Sequence, residues 1–426
     1  MLPLGDVVIP RHEPVHVVGS LGEWQAITIK FSGEVLPRER TEAFKGAMFA
    51  AYPGDIVFSK IDARNGAIGL IPANISKAIV TSEYPVFTPK TDKLRPAYLH
   101  HLLRAEYFKT DLQRKASGTS GRKRVTPESF LSLVIPVPSL EEQDALVSRY
   151  TDALARATQL EQEAEAIERA GWQAFETALG VAPPPPLPDR PVFVARFKDV
   201  ERWSHESILR SSTSGPEHQH SWPIARLGDL VADLENGWSP KCHDHPAREG
   251  KWGVLKLGAV SFGTFDATEN KELPASLKPR PEYEVKTGDV LISRANVVRY
   301  VGACAYVEST PPHLMLCDKI FRVRFRPDGP LDPRFLAEAM KLKSVREHIE
   351  ARLTGTSPTM KNISKPALLD IRFPLPDVGT QHRLVREIES ARKIAASKRS
   401  EAITLRQSAW ATFESALFTA SEKAAA

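Results

Sequence analysis

The chain contains two copies of one sequence plan, and this duplication constrains its fold more than any other feature. Residues 136–179 align with residues 374–417 at a constant offset of 238 positions, without a gap. A repeat of this length indicates two structural units of one design, which suits a chain of 426 residues. The identical pairs include Pro136/Pro374, Pro138/Pro376, Gln143/Gln381, Leu146/Leu384, Val147/Val385, Ala164/Ala402, Trp172/Trp410, Phe175/Phe413, Glu176/Glu414 and Leu179/Leu417.

The similarity continues upstream in three shorter motifs. They are LGD at residues 4–6 and 227–229, GDIVFSK at 54–60 with GDVLISR at 288–294, and SGTS at 117–120 with TGTS at 354–357. Each copy is therefore predicted to be a mixed, strand-rich globular domain followed by a long helix, which is an α+β fold. The predicted boundaries are 1–139 and 221–377 for the globular domains, 140–180 and 378–418 for the helices, 181–220 for a linker and connector, and 419–426 for a tail.

A proline-rich segment, GVAPPPPLPDRP at residues 180–191, separates the two copies. Glycine terminates helices and a proline run cannot continue one, so the first long helix is predicted to end here. Such a run is stiff and extended. Residues 192–220 have no counterpart in the first copy and are interpreted only as a connector.

Apolar or small residues recur along each predicted long helix in steps that alternate between four and three. This 3.5-residue period is typical of a coiled-coil seam. Either each helix packs on its own globular domain, or the two helices pair. We favour an antiparallel pair with pseudo-two-fold symmetry, in which helices about 60 Å long separate the globular domains. The seam positions are Leu146, Tyr150, Ala153, Ala157, Leu160, Ala164, Ile167, Gly171, Ala174 and Ala178, and Leu384, Ile388, Ala391, Ala395, Lys398, Ala402, Leu405, Ala409, Thr412 and Ala416.

Each copy carries its densest basic stretch at the same place in the repeat. Residues 104–124 contain seven Lys or Arg, and residues 341–361 contain five. Basic side chains beside Gly/Ser/Thr loops suit phosphate binding, because hydroxyl and N–H groups donate hydrogen bonds while Lys and Arg neutralise charge. The alternative for either stretch is a solvated helix face.

Further polar residues follow the GD strands of both copies. They are Arg64 and Asn65 in the first copy, and Arg294, Asn296 and Arg299 in the second. Arg pairs with guanine and Asn with adenine in the major groove, so these side chains are candidates for reading bases. Both residue types are also ordinary in turns.

Catalytic signatures are missing from the sequence. It has no GxxxxGK[ST] phosphate loop, no GxGxxG after a strand, and no NPPY or DPPY segment. The one metal-like cluster is CHDH at residues 242–245, and a polar loop is favoured there because zinc needs a second ligand pair at suitable spacing. A nuclease-like pattern of Asp266 with EVK at 284–286 is of a kind that arises easily by chance. Neither a catalytic residue nor a metal site is predicted.

The cysteine usage and the ends of the chain predict a cytoplasmic protein. Cys242, Cys304 and Cys317 are too few and too scattered for a disulfide framework. The N-terminus lacks the pattern of a secretory signal, and no apolar run approaches the ~20 residues of a membrane helix. The net charge of +5 suits an anionic partner without requiring one.

The duplicated plan resembles the specificity subunit of Type I restriction-modification systems over nearly the whole chain. The resemblance is carried by LGD, GD[IV][VL]xS[KR], [ST]GTS, and PxP leading into xxQ and the helix. It implies that each globular domain is a target-recognition domain for one half of a bipartite, asymmetric site in double-stranded DNA. It also implies a non-catalytic chain without a cofactor, which docks two methyltransferase subunits and, through them, motor-nuclease subunits. S-adenosylmethionine, ATP and Mg would bind to those partners.

The candidate DNA-binding residues lie in the basic stretches, the [ST]GTS loops and the turns after the GD strands. GRKR at residues 121–124 stands where the second copy has PTMK at 358–361, as expected if the domains read different sequences. A stand-alone sequence-specific DNA-binding regulator, or a nuclease fused to a recognition domain, are the alternative functions. The candidates are Lys60, Arg64, Asn65, Arg114, Lys115, Ser117, Thr119, Ser120, Arg122, Lys123 and Arg124, and Arg294, Asn296, Arg299, Thr354, Thr356, Ser357, Thr359, Lys361 and Asn362.

Overall fold

The computed structural model describes residues 1–116, 124–181, 222–355 and 360–423. The chain divides into two compact units, Met1–Glu163 with Ser397–Ala426, and Ala164–Ala396. The two long helices are Leu140–Ala178 and Val378–Lys423, and each contributes residues to both units. The second helix continues to Lys423, so residues 419–423, predicted as part of a tail, are helical.

Within the described residues, the first globular domain is built from two larger sheets, a short strand pair and short helices. The first sheet has four antiparallel strands in the order Val8–Arg11, Val86–Pro89, Ile56–Phe58 and Ile68–Leu70. The second sheet is mixed, in the order Pro14–Val15, Met48–Ala51, Ala78–Thr81, Gln25–Ile29 and Val35–Pro37. The strand pair is Leu2–Pro3 with Val134–Ile135. The helices are Pro96–Leu102, Glu106–Lys115 and Pro127–Leu131, with 3-10 turns at Leu4–Asp6 and Ala63–Asn65.

The second globular domain repeats the four-stranded sheet of the first. Its antiparallel strands lie in the order Val231–Asn236, Ile320–Phe325, Val290–Ser293 and Cys304–Tyr306. A mixed sheet has the order Asn270–Glu272, Gly253–Leu255 and Leu314–Met315. The strand pairs are Ile224–Arg226 with Arg372–Pro374, Val260–Ser261 with Thr264–Phe265, and Ala295–Asn296 with Lys361–Asn362. The helices are Leu227–Leu230, Pro333–Ala339, Lys343–Ala351 and Lys365–Leu369, with 3-10 turns at Leu257–Ala259, Pro281–Tyr283 and Val298–Tyr300.

In each globular domain two of these helices follow one another closely, Pro96–Leu102 with Glu106–Lys115 and Pro333–Ala339 with Lys343–Ala351. Ala105 and Leu342 precede the second helix of each pair with extended main chain, at ψ values of 142° and 141°. Both side chains are fully buried. The extended residue changes the direction of the chain between the two helices. Its own side chain and the apolar face of the next helix can then both pack in the core.

The glutamines of the PxP-xxQ motif hold each globular domain to the start of its long helix. The side-chain Nε2 of Gln143 donates to the carbonyls of Lys93 (2.8 Å) and Pro138 (2.9 Å), and its Oε1 accepts from the Arg95 N–H (2.8 Å). Gln381 makes the same three bonds in the second domain, at 2.7, 2.8 and 2.8 Å. Both glutamines are fully buried. The repeated motif therefore has a structural cause, since a buried amide must satisfy its donors and its acceptor.

The aspartates of the GD motif are also structural. The Asp55 carboxylate accepts a 2.8 Å hydrogen bond from Nε of Arg11 on the neighbouring part of the sheet. The Asp289 carboxylate accepts one of 3.3 Å from Nη1 of Arg322. Each carboxylate also accepts from the main-chain N–H three residues earlier, at 2.8 and 2.9 Å. The aspartate thus stabilises the turn before the strand and neutralises an arginine that is largely or partly buried.

The LGD motifs close each domain on itself. The N–H groups of Leu4 and Leu227 donate to the carbonyls of Leu133 and Ile371, at 2.8 Å in both domains. Both leucine side chains are fully buried. The beginning of each domain is therefore fixed beside the segment that leads into its long helix.

The two long helices pack against each other in the first compact unit. The rings of Tyr150 and Trp410 lie 5.6 Å apart, and Glu163 pairs with Lys398 at 2.5 Å. Ala157 lies fully buried between these two contacts. The partner number falls as the first helix advances, so the segments are antiparallel, as predicted. Lys398 holds its place in an otherwise apolar seam through this ion pair.

The same antiparallel packing occurs in the second compact unit. A Cβ atom on Gly171 would lie 2.8 Å from Cβ of Ala391, so glycine permits a close approach of the helices there. The start of the second helix also packs on the core of its own globular domain, through Leu384 and Ile388. Helix pairing is therefore confirmed in both units, together with packing on the adjoining domain.

The predicted seam is wrong near the end of each helix. Ala174 and Thr412 were assigned to it, yet both are exposed. Phe175 and Phe413, one residue further on, are 1% and 2% exposed and join the cores of the globular domains. Burial of a phenylalanine is worth about 1.5–3 kcal/mol, which outweighs the seam register at these ends.

Candidate nucleic-acid interface

In the first domain, Lys60 links three chain segments at the end of strand Ile56–Phe58. Its N–H donates to the carbonyl of Glu83 at 3.0 Å, and its carbonyl accepts from the N–H of Val125 at 2.8 Å. Both bonds involve only main-chain atoms. These main-chain hydrogen bonds form a frame that does not depend on the Lys60 side chain, so another side chain at this position would leave the frame intact.

The second domain has the same frame around Arg294. Its N–H donates to the carbonyl of Lys319 at 2.9 Å, and its carbonyl accepts from the N–H of Ile363 at 3.0 Å. Lys319 thus occupies the place that Glu83 has in the first domain. The backbone is repeated while the charge of one side chain is reversed, which alters what each domain attracts.

Arg64 and Asn65 form a 3-10 turn directly after Lys60. The side-chain Nε2 of Gln113 donates to the Arg64 carbonyl at 3.3 Å, and this bond brings the end of helix Glu106–Lys115 to the turn. Arg114 and Lys115 therefore lie near the turn, and Arg114 also pairs with Asp111 at 3.3 Å. The structure thus gathers Lys60, Arg64, Asn65, Arg114 and Lys115 at one place in the first domain.

Arg124 joins this cluster from the other side of Lys60. Its Nη1 donates to Oε1 of Glu83 at 3.3 Å, and both side chains are exposed. An exposed pair of this kind contributes little to stability and is readily exchanged for a phosphate contact. Sequence reasoning missed Glu83, because only the basic stretch was searched for partners.

In the second domain a two-stranded ribbon brings four of the candidates together. Asn296 lies directly opposite Lys361 in the pair Ala295–Asn296 with Lys361–Asn362. Asn362 exchanges two main-chain hydrogen bonds with Thr354, at 2.8 and 2.9 Å. The Lys361 ammonium donates to the carbonyl of Gly355 at 2.7 Å. These side chains are presented by paired backbone, which positions them more firmly than an isolated loop would.

Arg294 is less available than the sequence predicted. Its guanidinium lies 5.5 Å from the ring centre of Phe321, and its Nη1 approaches the Asp318 carbonyl at 3.4 Å. A half-buried arginine with these contacts helps to hold the second domain together. Its side chain remains a candidate only for contacts made through its outer edge.

Arg299 lies in the 3-10 turn Val298–Tyr300 and its side chain is exposed. The turn is held by Arg346, whose guanidinium donates to the carbonyls of Val301 (2.8 Å) and Arg299 (3.1 Å). Burial lowers the pKa of the Arg346 guanidinium. Sequence reasoning counted Arg346 among the basic residues but gave it no role, and its contacts show a positioning one.

Several candidates lie outside the described residues. They are Ser117, Thr119, Ser120, Arg122, Lys123, Thr356, Ser357 and Thr359. The described neighbours of these loops, Arg124 in the first domain and Lys361 in the second, belong to the clusters above. A DNA-binding role for all of these residues stays a prediction.

The other sequence motifs have local partners. Asp244 of the CHDH segment pairs with Lys271 at 2.9 Å. Asp266 accepts a hydrogen bond from the Thr268 hydroxyl at 2.6 Å, and Glu284 accepts one from the His313 N–H at 2.7 Å. The described residues contain no group of three or more His, Cys, Asp or Glu arranged to hold a metal ion. None of the helices in the described ranges is long and apolar enough to span a membrane.

Comparison with known sequences supports the resemblance. The model of the Type I restriction modification DNA specificity domain matches residues 43–169. The EcoEI specificity subunit of Escherichia coli is 25% identical over 373 residues, which cover 74% of this chain and 63% of that protein. These matches confirm the resemblance of the chain to the specificity subunits of Type I restriction-modification systems. The EcoKI specificity subunit of Escherichia coli strain K12 is 22% identical over 68% of this chain and 57% of its own length. The chain thus aligns with less than two thirds of the length of these two relatives.

Solved structures support the fold of the chain. The HsdS subunit from Thermoanaerobacter tengcongensis superposes with a TM-score of 0.56 at 19% identity, over 98% of this chain and 95% of that one. A chain from a structure of complex assembly and conformational transition of the type I R-M system gives 0.59 at 18% identity, over 99% and 96%. At this level of identity the likeness concerns the fold, and it confirms the predicted α+β architecture.

Proposed function

We propose that this chain reads a bipartite, asymmetric site in double-stranded DNA, with one half-site for each globular domain. The observation that carries the proposal is the repeated main-chain frame around Lys60 and Arg294, which holds different side chains in the two domains. Lys and Arg at these frames suit phosphate contacts, and the differing polar side chains beside them suit different base sequences.

The proposal extends to the partners. The chain docks two methyltransferase subunits and, through them, motor-nuclease subunits, and it performs no chemistry itself. S-adenosylmethionine, ATP and Mg bind to those partners and not to this chain. The similarity to specificity subunits of Type I restriction enzymes supports this division of labour.

The test compares matched variants in the two domains by footprinting on one DNA duplex. The full chain is purified with its methyltransferase partner, and its site is selected from a randomised duplex library. Replacing Lys60 and Arg124 with Ala should weaken protection of one half-site, whereas replacing Asn296 and Lys361 should weaken the other. If both pairs weakened the same half-site, the assignment of one half-site to each domain would be wrong.

A second measurement separates the proposal from a stand-alone regulator. The same library is offered to the chain without methyltransferase. A regulator would select its full site with undiminished affinity, whereas a specificity subunit should bind poorly until the methyltransferase joins it. Methylation or cleavage by the highly purified chain alone would contradict the non-catalytic assignment.

A further inference from the structure

Two adjacent apolar side chains are exposed at the tip of a loop in the second domain. Val297 and Val298 are each 42% exposed, in the connection between strands Val290–Ser293 and Cys304–Tyr306. Single exposed valines are common on protein surfaces. This pair, however, stands between Asn296 and Arg299, both candidates for DNA contact, so it lies inside the proposed interface.

The loop tip is held in one conformation by side-chain hydrogen bonds. The Val297 N–H donates to the side-chain oxygen of Asn296 at 2.8 Å. On the other side of the tip, the Arg346 guanidinium donates to two loop carbonyls and lies 4.9 Å from the ring centre of Phe262. A tip fixed in this way presents its valines without a large entropy loss on binding.

The charged side chains around the tip indicate which chemical groups it can bind. Lys361 lies opposite Asn296, and Arg299 is exposed on the tip itself. Cations beside an exposed apolar tip suit phosphate contacts next to that tip. Valine side chains cannot bind a phosphate, whereas they can contact an apolar group on a base edge. On the base edges of the major groove, the C5 methyl group of thymine is the apolar feature.

We propose that Val297 and Val298 contact thymine C5 methyl groups and thereby determine part of the sequence read by the second domain. The inference rests on the proposed function and adds the chemical group that is read. The loop of the first domain is two residues shorter, as hydrogen bonds from Ser59 to Ala67 and from Ser293 to Ala303 close the two loops. That shorter loop has a single exposed isoleucine, Ile61, in place of the valine pair, so the proposal concerns the second half-site.

The experiment removes the methyl group from the DNA and the valines from the protein, separately and together. The full chain with its methyltransferase partner selects a duplex from a randomised library, and each thymine of that duplex is then replaced by uracil. For the native chain, uracil at one or two positions of a single half-site should weaken binding about fourfold, as for one methyl group lost from an apolar contact. For the V297A/V298A double variant, the same replacements should cause no further loss.

A control variant tests whether any exposed apolar residue has this effect. Ile224 is also 42% exposed and lies in the same domain, on strand Ile224–Arg226 away from the loop in sequence. I224A should keep the full uracil penalty. The inference therefore predicts a loss of the penalty that is specific to the loop valines.

The possible results separate the inference from the proposed function. An equal uracil penalty in the native chain and the double variant would overturn the methyl contact while leaving DNA recognition intact. Failure of the native complex to select any sequence would instead refute the proposed function. If the double variant lost the methyltransferase and kept the uracil penalty, the valines would be a protein-docking site and the inference would be wrong.

Discussion

The buried glutamine of each domain allows a sharp test of how the fold is held together. In Q143L, a side chain of similar size removes three hydrogen bonds at once. The Pro138 carbonyl is left in a buried environment, and the Lys93 carbonyl and the Arg95 N–H in partly buried ones. The change therefore removes polar partners without opening a large cavity.

The expected loss follows from the number of groups left without a partner. A buried donor or acceptor without a hydrogen bond costs about 1–3 kcal/mol, and the two partly buried groups recover some of this from water. We expect about 3–5 kcal/mol for Q143L, a large share of the 5–15 kcal/mol that stabilises a typical domain. At a urea dependence of about 2–3 kcal/mol per M, the midpoint of unfolding should fall by roughly 1–2.5 M.

Hydrogen exchange measured by mass spectrometry in increasing urea reads the two domains separately. In Q143L, peptides that cover residues 93–103 should lose protection at lower urea, and peptides that cover 330–341 should not. Q381L should give the opposite result, which makes each variant the control of the other. Q173L, on an exposed helix face, should shift neither domain by more than about 0.5 kcal/mol.

A glutamate at the same place adds a test by pH. In Q143E, one carboxylate oxygen would face two carbonyls, so the folded state favours the protonated acid and its pKa is raised. The variant should be least impaired below about pH 4 and should lose stability as pH rises from the unfolded-state pKa of about 4.3 through the raised folded-state pKa. If Q143L and Q143E both unfolded like the native chain at pH 7, the three hydrogen bonds of Gln143 would not stabilise the domain.

Three further predictions address the helices, an ion pair and the interface. Burial raises the pKa of the Glu338 carboxyl, but hydrogen bonds and charge from Arg392 and Lys341 outweigh burial and lower the pKa. Its stabilisation should therefore be present above about pH 4.5 and be lost as pH falls through the lowered folded-state pKa. Acid titration of E338Q, followed by the fluorescence of its tryptophans, should lack that loss. A157L, measured by urea unfolding, should destabilise the first unit by about 1–3 kcal/mol, because a fully buried alanine leaves no room for leucine. R124A and K361A should each reduce the salt dependence of DNA binding by about one unit of slope, measured by titrations at several salt concentrations.

The sequence predicted the repeated architecture well, because the duplication and the 3.5-residue period are signals in the order of residues. It failed where burial competes with that period, as at Ala174 and Thr412, which are exposed beside buried Phe175 and Phe413. Register along the helix cannot show that its end faces a globular core. The size of the neighbouring phenylalanines was the available signal.

The candidate interface was predicted in part. The clustering of Lys60 with Arg124 is set by main-chain bonds across long sequence separations, which no local pattern reports. Lys319 and Glu83 were missed because both lie outside the basic stretches, the [ST]GTS loops and the turns after the GD strands. Aligning the two copies beyond the conserved motifs would have paired these positions and shown the reversed charge.

The exchange of Glu83 for Lys319 shows that the charge at this position can be reversed while the main-chain frame stays the same. At both positions the main-chain frame uses only the carbonyl oxygen, which lies 3.0 Å from the main-chain nitrogen of Lys60 and 2.9 Å from that of Arg294, respectively. The side chains of Glu83 and Lys319 take no part in these hydrogen bonds. The buried glutamines and the GD aspartates, in contrast, act through their side chains and recur unchanged. Substitutions should therefore accumulate at the first kind of position and be excluded from the second. E83K tests this directly. It should leave the free energy of unfolding of the first domain, measured in urea, within about 0.5 kcal/mol of native while altering DNA binding. A loss of stability comparable to that of Q143L would mean that the frame depends on the side chain after all.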